Sequence, residues 1–386
     1  MSYDSSSFRQ FNFHFRLPPQ NASSGSSIDF ESSRSLVNGY QTLMRCTLII
    51  PTYNRQDQFQ RQLLHCTRWL QNFAIRVADG SNTAVSEANR AAVEACGHPD
   101  AQWRHFPDTH AWHRAMTLLE APLTPYAMLC ADDDFLMPNG VLAALDFLDQ
   151  NPDYTTAQGI TLGLPGPSAN GVVTWHLNSL RGKLDAASPI ERAAQHLAAY
   201  SHTCYAVHRA VELRESLKIS SSTPFTMANW CLCELAQSLH SVLAGKAAWL
   251  DIPFLCRSPS TSTWPAAQQL AHPDFSACVS ALRDHVVCYA APGEDALAAQ
   301  LFDHAFTSYF IRGNCSLTSS EFDFWQWRSP RTSMLDKPDL HQVLRQLKSS
   351  ADWNGLASAY PPATTAKLKK RHVKTWLRSI KALWRK

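Results

Sequence analysis

The chain has 386 residues, of which 45% are hydrophobic and 17% charged, with a formal net charge of +3. That length and balance support a full hydrophobic core and exclude both a small disulfide-stapled scaffold and a disordered polyelectrolyte. No window is long and apolar enough to span a bilayer, and the start, "MSYDSSSFRQFNFHF", lacks the basic and apolar regions of an export signal.

Residues 1–43 are rich in Ser, which predicts a disordered or loosely attached arm. "CTLIIP" from Cys46 is a short β-branched run stopped by proline, the pattern of a buried parallel strand. Phe59, Leu63, Cys66, Leu70 and Phe73 then recur at helical spacing. "AIRVADGS" repeats the strand and ends at Asp79, and a second helical stretch stops at Gly97, a suitable C-terminal cap. A third apolar run, "YAMLC", leads into Asp132, Asp133 and Asp134, after which Pro138 opens another helix.

This alternation predicts an α/β doubly wound, mostly parallel sheet, with ligands bound outside the carboxyl ends of the strands. Further on, "YTTAQGITLGL" and "SHTCYAVHRA" read as strands, "ELAQSLHSVLAG" as a helix capped at Gly245, and "KAAWLDIPFLCR" as a strand ending at Arg257. The expected organisation is an α/β domain over 44–257, a helical extension over 258–366 and a basic amphipathic helix over 367–386. Eleven cysteines are scattered, several within apolar runs, which fits buried free thiols in a reducing cytoplasm.

Three adjacent carboxylates repel one another and need hydrogen-bond donors or a cation. Taken with "LIIPTYNR" and "VADGS", "ADDDF" before Pro138 resembles the nucleotide-sugar domain of family 2 glycosyltransferases, the GT-A fold, over about residues 45–152 and more weakly over 201–257. The resemblance implies an inverting, metal-dependent transfer from a nucleotide diphosphate donor, UDP- or dTDP-linked, to a glycan or lipid-linked hydroxyl. Mn2+ or Mg2+ would be held by Asp133 and Asp134, with Asp132 on the ribose, although Asp132 with Asp134 also reads as D-x-D. Pro51, Thr52 and Tyr53 would wrap the base, Asp79 would accept a hydrogen bond from it, and Arg55 would reach phosphate. His113 and Arg114 fall where the family carries Ala-Arg-Asn, and the match there is poor. The base that takes the acceptor proton would be Glu234, with Asp251 as the competing acid.

Two other functions compete with this reading. A sugar-phosphate nucleotidyltransferase would show a Gly-rich loop after the first strand, and "PTYNRQDQF" has no glycine. A non-catalytic carbohydrate-binding or scaffold protein would be expected to lose the acids. The segment "KLKKRHVKTWLRSIKALWRK" carries nine basic residues and no acid, with Val373, Trp376, Leu377, Ile380, Leu383 and Trp384 on one helical face. It predicts peripheral attachment to an anionic membrane surface at the inner face, in a role such as envelope glycan assembly. No nucleic-acid-binding motif accompanies it.

Overall fold

The computed structural model describes residues 44–120, 124–163, 176–177, 182–198, 200–225, 230–257 and 273–314. The N-terminal arm and the basic C-terminal segment predicted above lie outside these residues.

The sheet begins with β1 (Cys46–Thr52), β2 (Phe73–Asp79), β3 (Ala101–His105) and β4 (Tyr126–Leu129), ordered β3-β2-β1-β4 and all parallel. Beyond β4 lie β9 (Val207–Arg209), β6 (Tyr154–Gly163), β10 (Lys246–Arg257) and β5 (Phe135–Leu136). β9 runs against both of its neighbours and β5 against β10, whereas β6 and β10 are parallel. Six principal strands therefore share one direction, and their carboxyl ends form one rim. Two short strands complete the sheet: β7 (His176–Leu177) pairs with β6, and β8 (Lys183–Leu184) with β10. The fold is α/β with a mostly parallel sheet, as the alternating pattern predicts.

Alternation along the buried strands builds two layers. Leu48 and Ile50 of β1, with Met128 and Cys130 at β4, face α1 (Gln56–Trp69), α2 (Thr83–Ala95) and α4 (Pro138–Gln150). Ile49, Ala127 and Leu129 face the opposite layer. That layer contains α3 (Ala111–Thr117), α5 (Pro189–Ala198), α6 (Ala210–Ser220), α7 (Trp230–Ala244), α8 (Phe275–Val287) and α9 (Asp295–Asn314). Among the described residues after β10, α8 and α9 are helical and pack in this layer.

Several elements differ from the sequence expectation. β3 and α3 lie between "NTAVSEANRAAVEACG" and "YAMLC", where neither is predicted, because "AQWRH" is a half-exposed strand with no apolar run. Only Val207–Arg209 of "SHTCYAVHRA" is strand, and the residues before it form a loop. Gly97 has φ +71 just after α2, as a C-terminal cap requires. Gly245 has a different use: a Cβ there would stand 2.3 Å from the Thr155 side chain, so the glycine permits close packing on β6.

Helix α4 starts just after the acid run and is seated through Gly140. A Cβ at this position would meet the Pro253 carbonyl oxygen at 2.1 Å and Phe254 Cα at 2.8 Å, both backbone atoms of β10. Gly140→Ala should therefore lower stability by about 1–3 kcal/mol through overpacking, outweighing the helix propensity it gains. Urea denaturation measures this, and an unchanged midpoint would show that helix and strand separate easily.

Candidate active site

The rim of the sheet gathers the predicted residues from four strand ends. Thr52 pairs in register with Asp79, and the Gly80 N–H donates to the Thr52 carbonyl at 3.0 Å. Asn54 adopts φ +54, its N–H donates to Ser81 Oγ at 2.8 Å, and its side-chain oxygen accepts the Asn82 N–H at 2.9 Å. These bonds join the loops after β1 and β2 into one wall. Tyr53 stands out from that wall, 63% exposed.

The acid run is a tight turn closed by the Asp134 N–H to the Ala131 carbonyl at 3.2 Å. Helix α1 holds it in place: Gln62 donates to the Ala131 carbonyl at 2.6 Å, and His65 Nε2 contacts the Leu136 carbonyl at 2.8 Å. From this turn the three carboxylates diverge. Asp132 turns toward β1, accepting from the Thr52 hydroxyl at 2.8 Å and from Arg55 Nη1 at 3.1 Å. Asp133 shares that same Nη1 at 2.9 Å and is the most exposed of the three side chains. Asp134 faces the other way, with Oδ2 3.5 Å from Arg257 Nε at the end of β10.

Arg55 is thus an ion-pair partner of the cluster, not a solvated helix-start residue. Burial pushes the Asp132 carboxyl up to about 6, against the opposing effects of the Thr52 hydroxyl and Arg55. A carboxylate so raised, beside two others, would be relieved by more positive charge, and the donors are hard oxygens suited to Mg2+ or Mn2+. The chemistry of these donors therefore suits a divalent cation, which Asp133 and Asp134 would share once their side chains turn from Arg55 and Arg257 toward each other.

Asp79 is fully enclosed. Its carboxylate accepts from the Ser81 N–H at 2.8 Å, Asn89 at 3.0 Å and the Trp103 indole at 3.1 Å. Burial alone would raise its pKa, but these donors outweigh it and hold the carboxylate below its usual range. Asp79 also organises the wall, since one carboxylate ties α2 and β3 to the end of β2.

Arg114, where the match to the family pattern is poor, enters the site. Its guanidinium fills the space beside Gly80, where a Cβ would lie 1.1 Å from Nη1. The residue is 4% exposed, and Nε is buried with no hydrogen-bond partner. Burial lowers its pKa, offset in part by Asp79, Tyr53 and Asp132. Such a cation has donors to spare for a ligand. Nothing local in the sequence signals this, because Arg114 stands in the last turn of a short helix that the apolar pattern does not predict.

Glu234 lies on α7, whose first turn contains no acidic residue. Helix-dipole compensation in that turn therefore does not account for it. It accepts from the Tyr200 hydroxyl at 3.2 Å, and its carboxylate lies near His202 and Cys204, which adjoin Arg257 and so the Asp134 side of the cluster. Asp251 is exposed in the irregular middle of β10, six residues before Arg257 and so roughly 15–20 Å from the rim. The structure brings Glu234 toward the acids and leaves Asp251 apart.

No protein-family model matches the sequence, and no curated protein matches it. Among solved structures, S. aureus TarS residues 1–349 in complex with UDP-GlcNAc superposes with a TM-score of 0.51 at 12% identity, covering 70% of this chain and 74% of that one. TarS 1–349 without a named ligand gives the same score at 11% identity over 82% and 81%. A mannosyltransferase from Pyrobaculum calidifontis, PcManGT with GDP-Man and Mn2+, reaches only 0.42, too distant to compare sites. At these identities the likeness is one of fold, and it places the chain among GT-A-like α/β structures.

Proposed function

We propose that this protein is a nucleotide-sugar-dependent glycosyltransferase that transfers a hexose with inversion to a hydroxyl of a glycan or lipid-linked acceptor. The observation that carries this reading is the convergence of three diverging carboxylates, a buried arginine with donors to spare and a separate acid on one rim. The TarS structure of similar fold was solved with UDP-GlcNAc.

On this reading the donor lies along the wall made by Pro51, Thr52, Tyr53 and Asp79. Tyr53 offers an exposed ring for the base and Arg114 a fixed donor beside it, while the enclosed Asp79 holds the wall in shape behind them. Asp132, already bonded to Thr52, serves the ribose side. Asp133 and Asp134 would hold Mn2+ or Mg2+, which when bound would neutralise the charge that develops on the departing diphosphate. Arg55, at the start of α1, and Arg257, at the end of β10, flank the same charge.

Glu234 takes the proton of the acceptor hydroxyl as its oxygen bonds to the anomeric carbon. Attack comes from the face opposite the diphosphate, the bond from that carbon to the phosphate oxygen breaks, and the nucleoside diphosphate leaves with the electron pair. Glu234 ends protonated, and the anomeric configuration is inverted. Among the described residues no helix is long and apolar enough to cross a membrane. Membrane attachment through 367–386 rests on the sequence of that segment alone.

The test is a panel of nucleotide sugars incubated with the full chain and Mn2+, with nucleoside diphosphate release as the readout. Release from a UDP- or dTDP-sugar that stops on chelation is the expected result. A protein that binds no nucleotide diphosphate under these conditions would overturn the reading, and release of pyrophosphate from a nucleoside triphosphate plus a sugar phosphate would indicate nucleotidyl transfer instead.

A further inference from the structure

Beside the acid turn lies a second cluster of different chemistry. His202 and Cys204 stand two residues apart in the loop before β9, and Glu234 faces them from α7. One ligating atom from each lies within 4.8 Å of the others. Cys204 Sγ is 3.7 Å from His202 Nδ1. A tetrahedral zinc with bonds of about 2.0–2.3 Å sets its ligands roughly 3.3–3.8 Å apart, so this pair is already at ligand spacing.

The backbone fixes that spacing before any ligand arrives. Thr203 N–H, between the two residues, donates to Ser238 Oγ at 3.1 Å, one turn beyond Glu234 on α7. The His202 carbonyl accepts from Gln158 of β6 at 2.9 Å, and the Thr203 carbonyl contacts His208 Nε2 at 2.8 Å. Loop, helix and sheet are thus clamped together around the cluster. Tyr200 donates to the Glu234 carboxylate, the kind of outer partner that orients a metal ligand.

We infer that His202, Cys204 and Glu234 form a binding site for a borderline-soft divalent metal ion of the zinc class, distinct from a Mg2+ or Mn2+ site at the aspartates. The donors are nitrogen, sulfur and oxygen, a set that selects zinc over hard cations. Thiolate and carboxylate together balance its charge of two, and binding releases the thiol proton. Three protein ligands leave a fourth position open.

Arg257 sets the condition for binding. Its Nη1 lies 3.4 Å from His202 Nε2, and a guanidinium only donates, so this contact uses the tautomer with its lone pair on Nε2. Metal on Nδ1 requires the proton on Nε2 and turns Arg257 toward Asp134. Because Glu234 is also the base of the proposed transfer, zinc held here would occupy it, so zinc binding and sugar transfer are alternatives, and zinc binding is read without any sugar donor.

The experiment uses the full chain, stripped with chelator and titrated with Zn2+ alone by calorimetry, then with Co2+ by absorption. A single zinc per chain and a thiolate-to-cobalt band are expected. Cys204→Ser, His202→Ala and Glu234→Gln should each weaken zinc binding beyond the roughly 10- to 100-fold that loss of an outer partner brings, and Cys204→Ser should remove the band. Asp133→Asn, which touches Arg55 and not Arg257, should leave zinc binding unchanged. Absence of stoichiometric binding in the unaltered protein, or binding that survives both Cys204→Ser and Glu234→Gln, would overturn the site. If Cys204→Ser lowers the melting temperature too far to assay, Glu234→Gln gives the same reading with little change of shape.

Discussion

Replacing Glu234 by Gln should reduce transfer by about 100- to 10,000-fold, the range that a positioned general base contributes. The substitution keeps the shape of the side chain and an oxygen to accept from the Tyr200 hydroxyl, so folding and donor affinity should hold. Turnover under saturating donor and acceptor, together with nucleotide affinity by calorimetry, separates the two effects. Asp251→Asn is the control, since that residue is exposed on β10 away from the rim. Full activity in the Glu234 variant, or loss in the Asp251 variant alone, would reassign the base.

The alternation of apolar runs with helical spacing made the first half of the fold legible. β1, β2 and β4 are buried on both faces, so their apolar runs are continuous and easy to read. β3 escaped because an edge strand carries exposed residues and lacks that run. The site was legible where polar residues end such strands: Thr52, Asp79 and the three aspartates all lie on the rim. What the sequence could not convey was pairing across distance. Arg55 sits 77 residues from Asp132, and nothing local indicates that it bonds two of the three acids. Arg257 reads as the last residue of a strand, yet β10 runs parallel to β6 and so delivers it beside Asp134. Arg114 was the hardest of all, because its burial depends on Gly80, which leaves room for a guanidinium at the end of a different element.

Asp133→Asn and Asp134→Asn should each reduce transfer at least about a hundredfold, the scale of losing electrostatic stabilisation where charge develops. The diverging turn gives the two variants different side effects. Asp133 shares Arg55 with Asp132, so its loss leaves that arginine bonded to one carboxylate, whereas Asp134 is the carboxylate nearest Arg257. Raising Mn2+ should restore part of the activity if the lost oxygen is a metal ligand and none if it serves only the arginines. Proton competition supplies a second check. The Asp132 carboxyl titrates at about 6, above the 3.8 of a free aspartate, so its contribution to stability is full below the lower value and is lost as pH rises through the upper one. A cation at this cluster favours the ionised form and acts in the opposite sense. The rise in melting temperature on adding Mn2+ with nucleoside diphosphate should therefore be larger at pH 7.5 than at pH 5, and should fall in both asparagine variants. Equal shifts at the two pH values, with both variants active, would remove the metal from the aspartates and leave Arg55 and Arg257 as the cations that face the diphosphate.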